Sequence, residues 1–320
     1  MKTQDLKNRC NEYLDNLISE VKRTRSTKTI VDYLDFCSRF HNYSFHNTLL
    51  IWTQRPDATL VAGFRTWQKM GRWIKKGERG IPIFAPMRIK TEDYEEGEDR
   101  EQEKIVYKVV YVWDVSQTQG KPLPQAPDTL KVKGKTDLFS ILEDLVGQYD
   151  ITVEYVDSLK GAYGVSEMGK IRILNNLKQN EKFLILAHEF AHELLHGVQE
   201  RMGLSNKIKE LAAEATAYVV CRHFGLATES PTYLALYGVE ELDIRASLQR
   251  IISTSSRIIS EVSRKKEERS RHEAKQAIQR GIFKTTEDEE AKALVRYDQI
   301  LCPSLQKGLH PQEEAQIFKP

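Results

Sequence analysis

Three observations predict that this 320-residue chain is an α+β protein of two domains. Helix-spaced and strand-spaced apolar positions follow one another through the first third of the sequence. A proline- and glycine-rich run, Gln119-Gly-Lys-Pro-Leu-Pro-Gln-Ala-Pro, then breaks the pattern, and a second mixed stretch ends in sustained helical periodicity. An apolar share of 40% and a charged share of 29% place both domains among soluble globular proteins, not disordered ones. No eighteen apolar residues run together and the opening MKTQDLKNRC has no apolar leader, so a cytoplasmic protein without membrane contact is expected. Cys10, Cys37, Cys221 and Cys302 are widely spaced and form no Cys-x-x-Cys pair, which excludes a disulfide framework or a cysteine zinc site as the basis of the fold.

The elements can be justified in order. Leu6, Cys10, Leu14, Leu17, Ile18 and Val21 recur every three or four residues and form one helical stripe. Ser26 can cap a second helix whose buried face is Ile30, Leu34 and Cys37. Ser44 can cap a third, carrying Leu49, Leu50 and Trp52 and stopped by Pro56. Thr59–Phe64, Ile81–Phe84 and Tyr107–Val112 read as strands, with turn chemistry at Lys76–Gly80. The eight acids between Glu92 and Glu103 are too charged to bury and predict a hairpin loop. From about Lys135 a second domain follows: a helix over Asp137–Tyr149, a strand over Ile151–Val156, and strands flanking Glu167–Lys170. Helical pattern then dominates, with a charged helix end beyond Glu261 and no clear periodicity in the last forty residues.

The sharpest chemical signal is Ala187-His188-Glu189-Phe190-Ala191-His192-Glu193-Leu194-Leu195-His196. Residues four apart share a helical face about 6 Å apart, so two imidazoles converge on one tetrahedral ion, with Glu189 placed to move a proton of the bound water. The motif overlaps a second copy, His192-Glu193-Leu194-Leu195-His196. The first register is favoured because Gly197 is expected to end the helix just beyond His196. A third ligand is needed. Glu210 and Glu214 lie on one face of a helix rich in small residues, which permits close approach; Glu214 is taken as ligand and Glu210 as its supporting partner or alternative. Zinc, one ion per chain, is the expected metal, although manganese or iron suits the same donors.

A second constellation is basic and aromatic. Met1–Arg88 holds 16 Lys and Arg against 8 Asp and Glu, a net of +8. Phe40, Tyr43, Phe45, Trp52, Phe64, Trp67 and Trp73 are interleaved there with Arg55, Arg65, Lys69, Arg72, Lys75, Lys76 and Arg79. Single-stranded nucleic acid is held by such mixtures, since bases stack on rings while cations follow phosphates; aromatics at this density also build cores.

The run Tyr43-Ser44 with Asn47, then Leu49-Leu50-Ile51, Gln54, Pro56, Ala58-Thr59, Val61-Ala62-Gly63-Phe64, Trp67, Gly71-Arg72 and Lys75–Ile81 resembles the ArdC family of antirestriction proteins. Trp113–Thr118 with Gly120 looks like the close of the same domain, and Ala213–Cys221 is similar to the family's peptidase half. The resemblance implies a single-stranded-DNA-binding domain over 1–125, a zincin-like metallopeptidase domain related to the SprT and ImmA/IrrE groups over 135–270, and a tail over 271–320 without an assigned role. By resemblance Glu214 is the third ligand beside His188 and His192, and Glu189 is the catalytic base. Tyr43, Asn47, Arg55, Arg65, Trp67, Lys69, Arg72, Trp73, Lys75, Lys76 and Arg79 are the expected DNA-binding set. The expected activity is a DNA-associated zinc-dependent peptidase that protects incoming DNA, with single-stranded DNA and a protein substrate, DNA-bound or free, as partners. Two rivals stand beside it: a DNA-binding protector whose metal site is structural or idle, and an ImmA-like peptidase that cleaves a repressor.

Overall fold

The computed structural model describes residues 1–24, 28–92, 101–123, 137–159, 161–195, 206–226, 228 and 241–279. Its described residues divide into two compact units, one holding residues 1–16 and 46–123, the other residues 17–45 and those from 137 to 279. The split is thus not a single cut at the proline–glycine run, because a helical segment from before that run joins the second unit.

In the first unit, helix α1 (Thr3–Thr24) buries Leu6, Cys10 and Leu14, and α3 (Phe45–Gln54) buries Leu49, Leu50 and Ile51, as their spacing predicts. Strand β1 (Val61–Gly63) is shorter than the sequence reading of 59–64, because Phe64 opens a short helix, α4 (Phe64–Lys69). That helix carries Trp67 inside, where its indole N–H donates to the carbonyl of Trp113 at 2.9 Å. Strands β3 (Ile81–Glu92) and β4 (Glu101–Asp114) form a long antiparallel hairpin with β1 added to the far side of β4, in the order β1-β4-β3. The ends of the acid-rich stretch pair within this hairpin, Glu92 opposite Glu101 and Lys90 opposite Glu103, while its centre, 93–100, lies outside the described residues. The short strands β2 (Arg72–Ile74) and β5 (Thr118–Gly120) pair separately.

Asp114 explains the Trp-Asp-Val-Ser-Gln-Thr run. Its carboxylate accepts from the backbone N–H groups of Thr59, Leu60 and Ser116, while the Asp114 N–H donates to Gln117 Oε1 at 2.9 Å. Burial opposes its charge, yet those donors outweigh burial and hold its pKa below the usual carboxylate value.

The second unit is built on α2 (Lys28–Arg39), α5 (Asp137–Gly147), α6 (Gln179–Leu195), α7 (Asn206–His223) and α8 (Glu241–Gln279) with strands β6 (Thr152–Val156), β7 (Gly164–Ser166) and β8 (Lys170–Leu174). The sheet order is β6-β8-β7, with β6 and β8 parallel and β7 antiparallel at the edge. Helix α6 packs on α7, and α7 on α2 and α8. Ala212, Ala213, Ala215 and Ala217 are buried on α7, so the α6 and α7 backbones approach closely, as their small size predicts. Asp35 of α2 accepts from Tyr218 Oη at 2.9 Å and Arg222 Nε at 2.8 Å. Helix α8 buries Leu248, Ile251, Ile252, Ser255, Ile258, Ile259 and Val262 as one stripe and continues well beyond Glu261, with solvated Arg264–Glu268 and Glu267–Arg271 pairs four residues apart. No helix among the described residues is long and apolar enough to cross a membrane.

Candidate metal centre and candidate nucleic-acid face

Helix α6 presents three rows of side chains, each to a different neighbour. Phe183, Leu186, Ala187, Phe190 and Ala191 enter the core. His188 and His192 turn towards α7. Ile185, Glu189 and Glu193, also four apart, meet β7 and the turn after it.

His188 Nε2 and His192 Nε2 are 3.1 Å apart, and Glu210 Oε2 of α7 lies 3.4 Å from each. Among the described residues, His188, His192 and Glu210 are the cluster whose donor atoms could share a cation. Ligand atoms about 2.0–2.2 Å from a tetrahedral ion stand about 3.4 Å from one another, so this triangle fits a small divalent metal bound by nitrogen and oxygen. Of the two glutamates the sequence reading offered, Glu210, its alternative ligand, places an oxygen 3.4 Å from both imidazoles, one turn before Glu214. Glu214 lines the same cleft and adds to the negative field that favours protonated His188. Hydrogen bonds from His188 and His192 hold the Glu210 carboxyl far below its ordinary pKa. For His188, burial works against protonation, but Glu210, Glu189 and Glu214 prevail and raise its pKa. His196 lies outside the described residues.

Glu189 is almost fully buried beside the two imidazoles. Burial raises its pKa, opposed by His188 and His192, reinforced by Glu210 and opposed again by a backbone hydrogen bond from Ser166. Room for it exists because residue 164 is glycine: a Cβ there would stand 2.9 Å from Glu189 Oε1 and 2.5 Å from Ile185 Cγ2. The centre opens into a cleft of about 1070 Å³ that includes Tyr163, Val165, Leu184, Ile185 and Ala217. Strand β7 forms one wall. Its flanking bonds, Leu174 N–H to Tyr163 O at 3.1 Å and Glu167 N–H to Lys170 O at 2.7 Å, put residues 163, 165 and 167 in register with β8 and turn the backbone groups of Gly164 and Ser166 outward.

In the first unit the expected DNA-binding residues separate into two groups. Trp67 is fully buried, and Asn47 is buried with its amide bonded to both the carbonyl and N–H of Phe84, at 2.9 and 2.8 Å; both are structural. The Arg72 guanidinium is engaged by Thr118 Oγ1, Thr118 O and Lys121 O, Lys75 Nζ by Ser116 O at 2.8 Å, and Arg55 lies 3.7 Å from Asp57. Tyr43 belongs to the other unit, its ring 6.1 Å from that of Phe40. Arg65, Lys69, Trp73, Lys76 and Arg79 are exposed. The structure adds an aromatic ledge: Phe64 (47% exposed), already part of the aromatic constellation, is joined by two residues the sequence reading missed, Trp113 with its ring 6.4 Å away and Tyr111 (42% exposed) one pleat along β4. Gly80 packs against the Trp113 ring and the base of the Tyr111 side chain, since a Cβ would stand 2.7 Å from Trp113 Cζ2 and 2.9 Å from Tyr111 Cβ. The two-residue spacing of Tyr111 and Trp113 was the available signal.

Residues 5–113 match the family model described as the N-terminal domain of anti-restriction factor ArdC. Over those residues the chain is ArdC-like. It is 25% identical to an uncharacterized protein of Bacillus anthracis, over 85% of this chain and 54% of that protein, and so spans about half the length of that curated relative. The fold also aligns with crystal structures of the antirestriction ArdC protein from the R388 plasmid. The metal-free form gives a TM-score of 0.51 and the Mn(II)-bound form 0.50, each at 14% identity and covering 80% of this chain and 97% of that one. At that identity the likeness is one of fold.

Proposed function

We propose that this ArdC-like chain is a metal-dependent peptidase that works on protein bound at single-stranded DNA. The observation that carries the reading is the donor triangle of His188, His192 and Glu210 with Glu189 buried beside it. The Mn(II)-bound structure of the R388 relative supports a divalent ion as cofactor, with zinc the ion best suited to this donor set. When bound, such an ion acts as a Lewis acid towards water and a substrate carbonyl. Glu189, whose raised pKa keeps proton uptake and release close together, takes the proton of the attacking water at its carboxylate and passes it to the departing amine. The outward backbone groups of Gly164, on the open edge of β7, accept an extended peptide as an added strand alongside the centre, while the Ser166 N–H stays on Glu189. In the other unit, bases stack on Phe64, Tyr111 and Trp73, while Arg65, Lys69, Lys76 and Arg79 follow the phosphates. Joining both activities in one chain raises the local concentration of DNA-bound substrate.

The test is Glu189→Gln in protein loaded with zinc or manganese. Cleavage of casein, with and without poly(dT), should fall about 100-fold or more while metal content stays the same. Undiminished cleavage would remove Glu189 from the chemistry. A second reading, a DNA-binding protector with an idle centre, is favoured by the aromatic ledge, which needs no metal. It requires the same variant to protect incoming DNA as well as the wild type does.

A further inference from the structure

We propose that Glu193 and Ser166 are positioning residues that fix edge strand β7, and through it Glu189, for an extended peptide. The inference rests on the metallopeptidase reading. Glu193 belongs to the overlapping second copy of the motif and lies outside the donor triangle.

Three donors converge on the Glu193 carboxylate. The Ser166 hydroxyl and the Met168 N–H (3.1 Å) reach Oε1, and the Gly169 N–H (3.0 Å) reaches Oε2. These donors span the turn that joins β7 to β8, where Met168 has φ 48° and Gly169 φ 86°. A left-handed backbone is unfavourable for a residue with a Cβ, and the bonds from the Met168 and Gly169 N–H groups to Glu193 help to hold that shape. Ser166 then links two carboxylates of α6: its hydroxyl donates to Glu193 and its backbone N–H to Glu189. At the other end of the strand, Gly164 lies flat against Ile185 and Glu189. Strand β7 is therefore held along the whole 185–189–193 row, and Glu193 is the contact at its hairpin end. His188 and His192 face α7 instead, so loosening the hairpin leaves the donor triangle intact.

Two probes separate the strand from the ion. Acetohydroxamate binds a metal centre alone, whereas an N-acetylated tripeptide hydroxamate of alanine and leucine also pairs with an open strand edge. In zinc-loaded Glu193→Ala, affinity for the tripeptide probe should fall about 10-fold, with acetohydroxamate affinity and metal content unchanged. Hydrogen exchange at the Met168 and Gly169 amides should rise about 10-fold in the same variant. Ser166→Ala should show a smaller loss of tripeptide binding, and Glu193→Gln, which keeps one acceptor oxygen, an intermediate one. These milder variants decide the matter if Glu193→Ala does not fold. Unchanged tripeptide affinity in all three variants overturns the positioning role while the metal reading stands. So does a wild type that binds the tripeptide no better than acetohydroxamate. If the loaded wild type binds neither probe, the metallopeptidase reading fails and this inference fails with it.

Discussion

Glu210 and Glu214 stand one turn apart on the same face of α7, but Glu210 Oε2 is the atom 3.4 Å from both imidazoles. Ligation and support therefore differ in consequence. Glu210→Gln is expected to weaken zinc or manganese binding about 100-fold or more, and Glu214→Gln, acting from outside the triangle, about 10-fold. Competition with a chromophoric chelator measures both, and the reverse order would transfer the ligand role to Glu214. Gly164 is the other residue on which the centre depends. Gly164→Ala forces a Cβ against Ile185 and Glu189 and should cost about 1–3 kcal/mol, read as a lowered melting temperature. Gly147→Ala, where a Cβ meets nothing within 4 Å, is the neutral control.

Among the elements, α2 and α7 meet through groups that respond to acid. His223 Nδ1 lies 2.8 Å from the carbonyl of Ser38, and the His41 ring contacts the His223 ring edge-on at 4.5 Å. Burial, with His223 adding to it, pushes the His41 pKa down to about 3, and burial also lowers that of His223, helped by Lys266 of α8. A histidine with a folded pKa below its unfolded value of 6.5 binds protons preferentially when unfolded. Stability is thus fully present above pH 6.5 and is lost as pH falls from there towards 3, by up to roughly 1.4 kcal/mol per pH unit for His41. Urea titrations of His41→Phe should give a flatter decline across that window than the wild type, and an equal decline would place the acid sensitivity elsewhere. Elements of this kind were legible wherever one periodicity ran long enough: α1, the β3–β4 hairpin, α6 and the Gly164–Leu174 hairpin all fall near where spacing puts them. Short pieces were not. Nothing local distinguishes Phe64–Lys69 from a continued strand; burial of Trp67 under β4 decides it. Nor does sequence say that Glu193 faces a turn, because that depends on which helix row meets β7. The histidine pair was readable because one helix carries both residues, whereas the choice between Glu210 and Glu214 depends on how two helices pack.

For the molecule as a whole, charge is distributed more informatively than its total of +2 shows, since Met1–Arg88 alone carries +8. The structure reduces the cations free to meet a strand of nucleic acid, because Arg72 and Lys75 already bind backbone carbonyls of their own unit. The exposed set, Arg65, Lys69, Lys76 and Arg79, and the rings of Phe64, Tyr111 and Trp73 should therefore contribute in separable ways. Each phosphate neutralised contributes about −0.7 to the slope of log affinity against log salt for single strands, so Lys69→Ala with Lys76→Ala should make that slope shallower by about 1.4. Stacking releases no counterions. Phe64→Ala with Tyr111→Ala should weaken poly(dT) binding about 10-fold or more and leave the slope unaltered. Fluorescence anisotropy across a salt series reads both quantities on the full chain. If the ring variant changes the slope as the lysine variant does, the ledge is shaping the fold and not stacking bases. If the wild type binds poly(dT) with no salt dependence, the charge distribution has another use and the tether to DNA is absent.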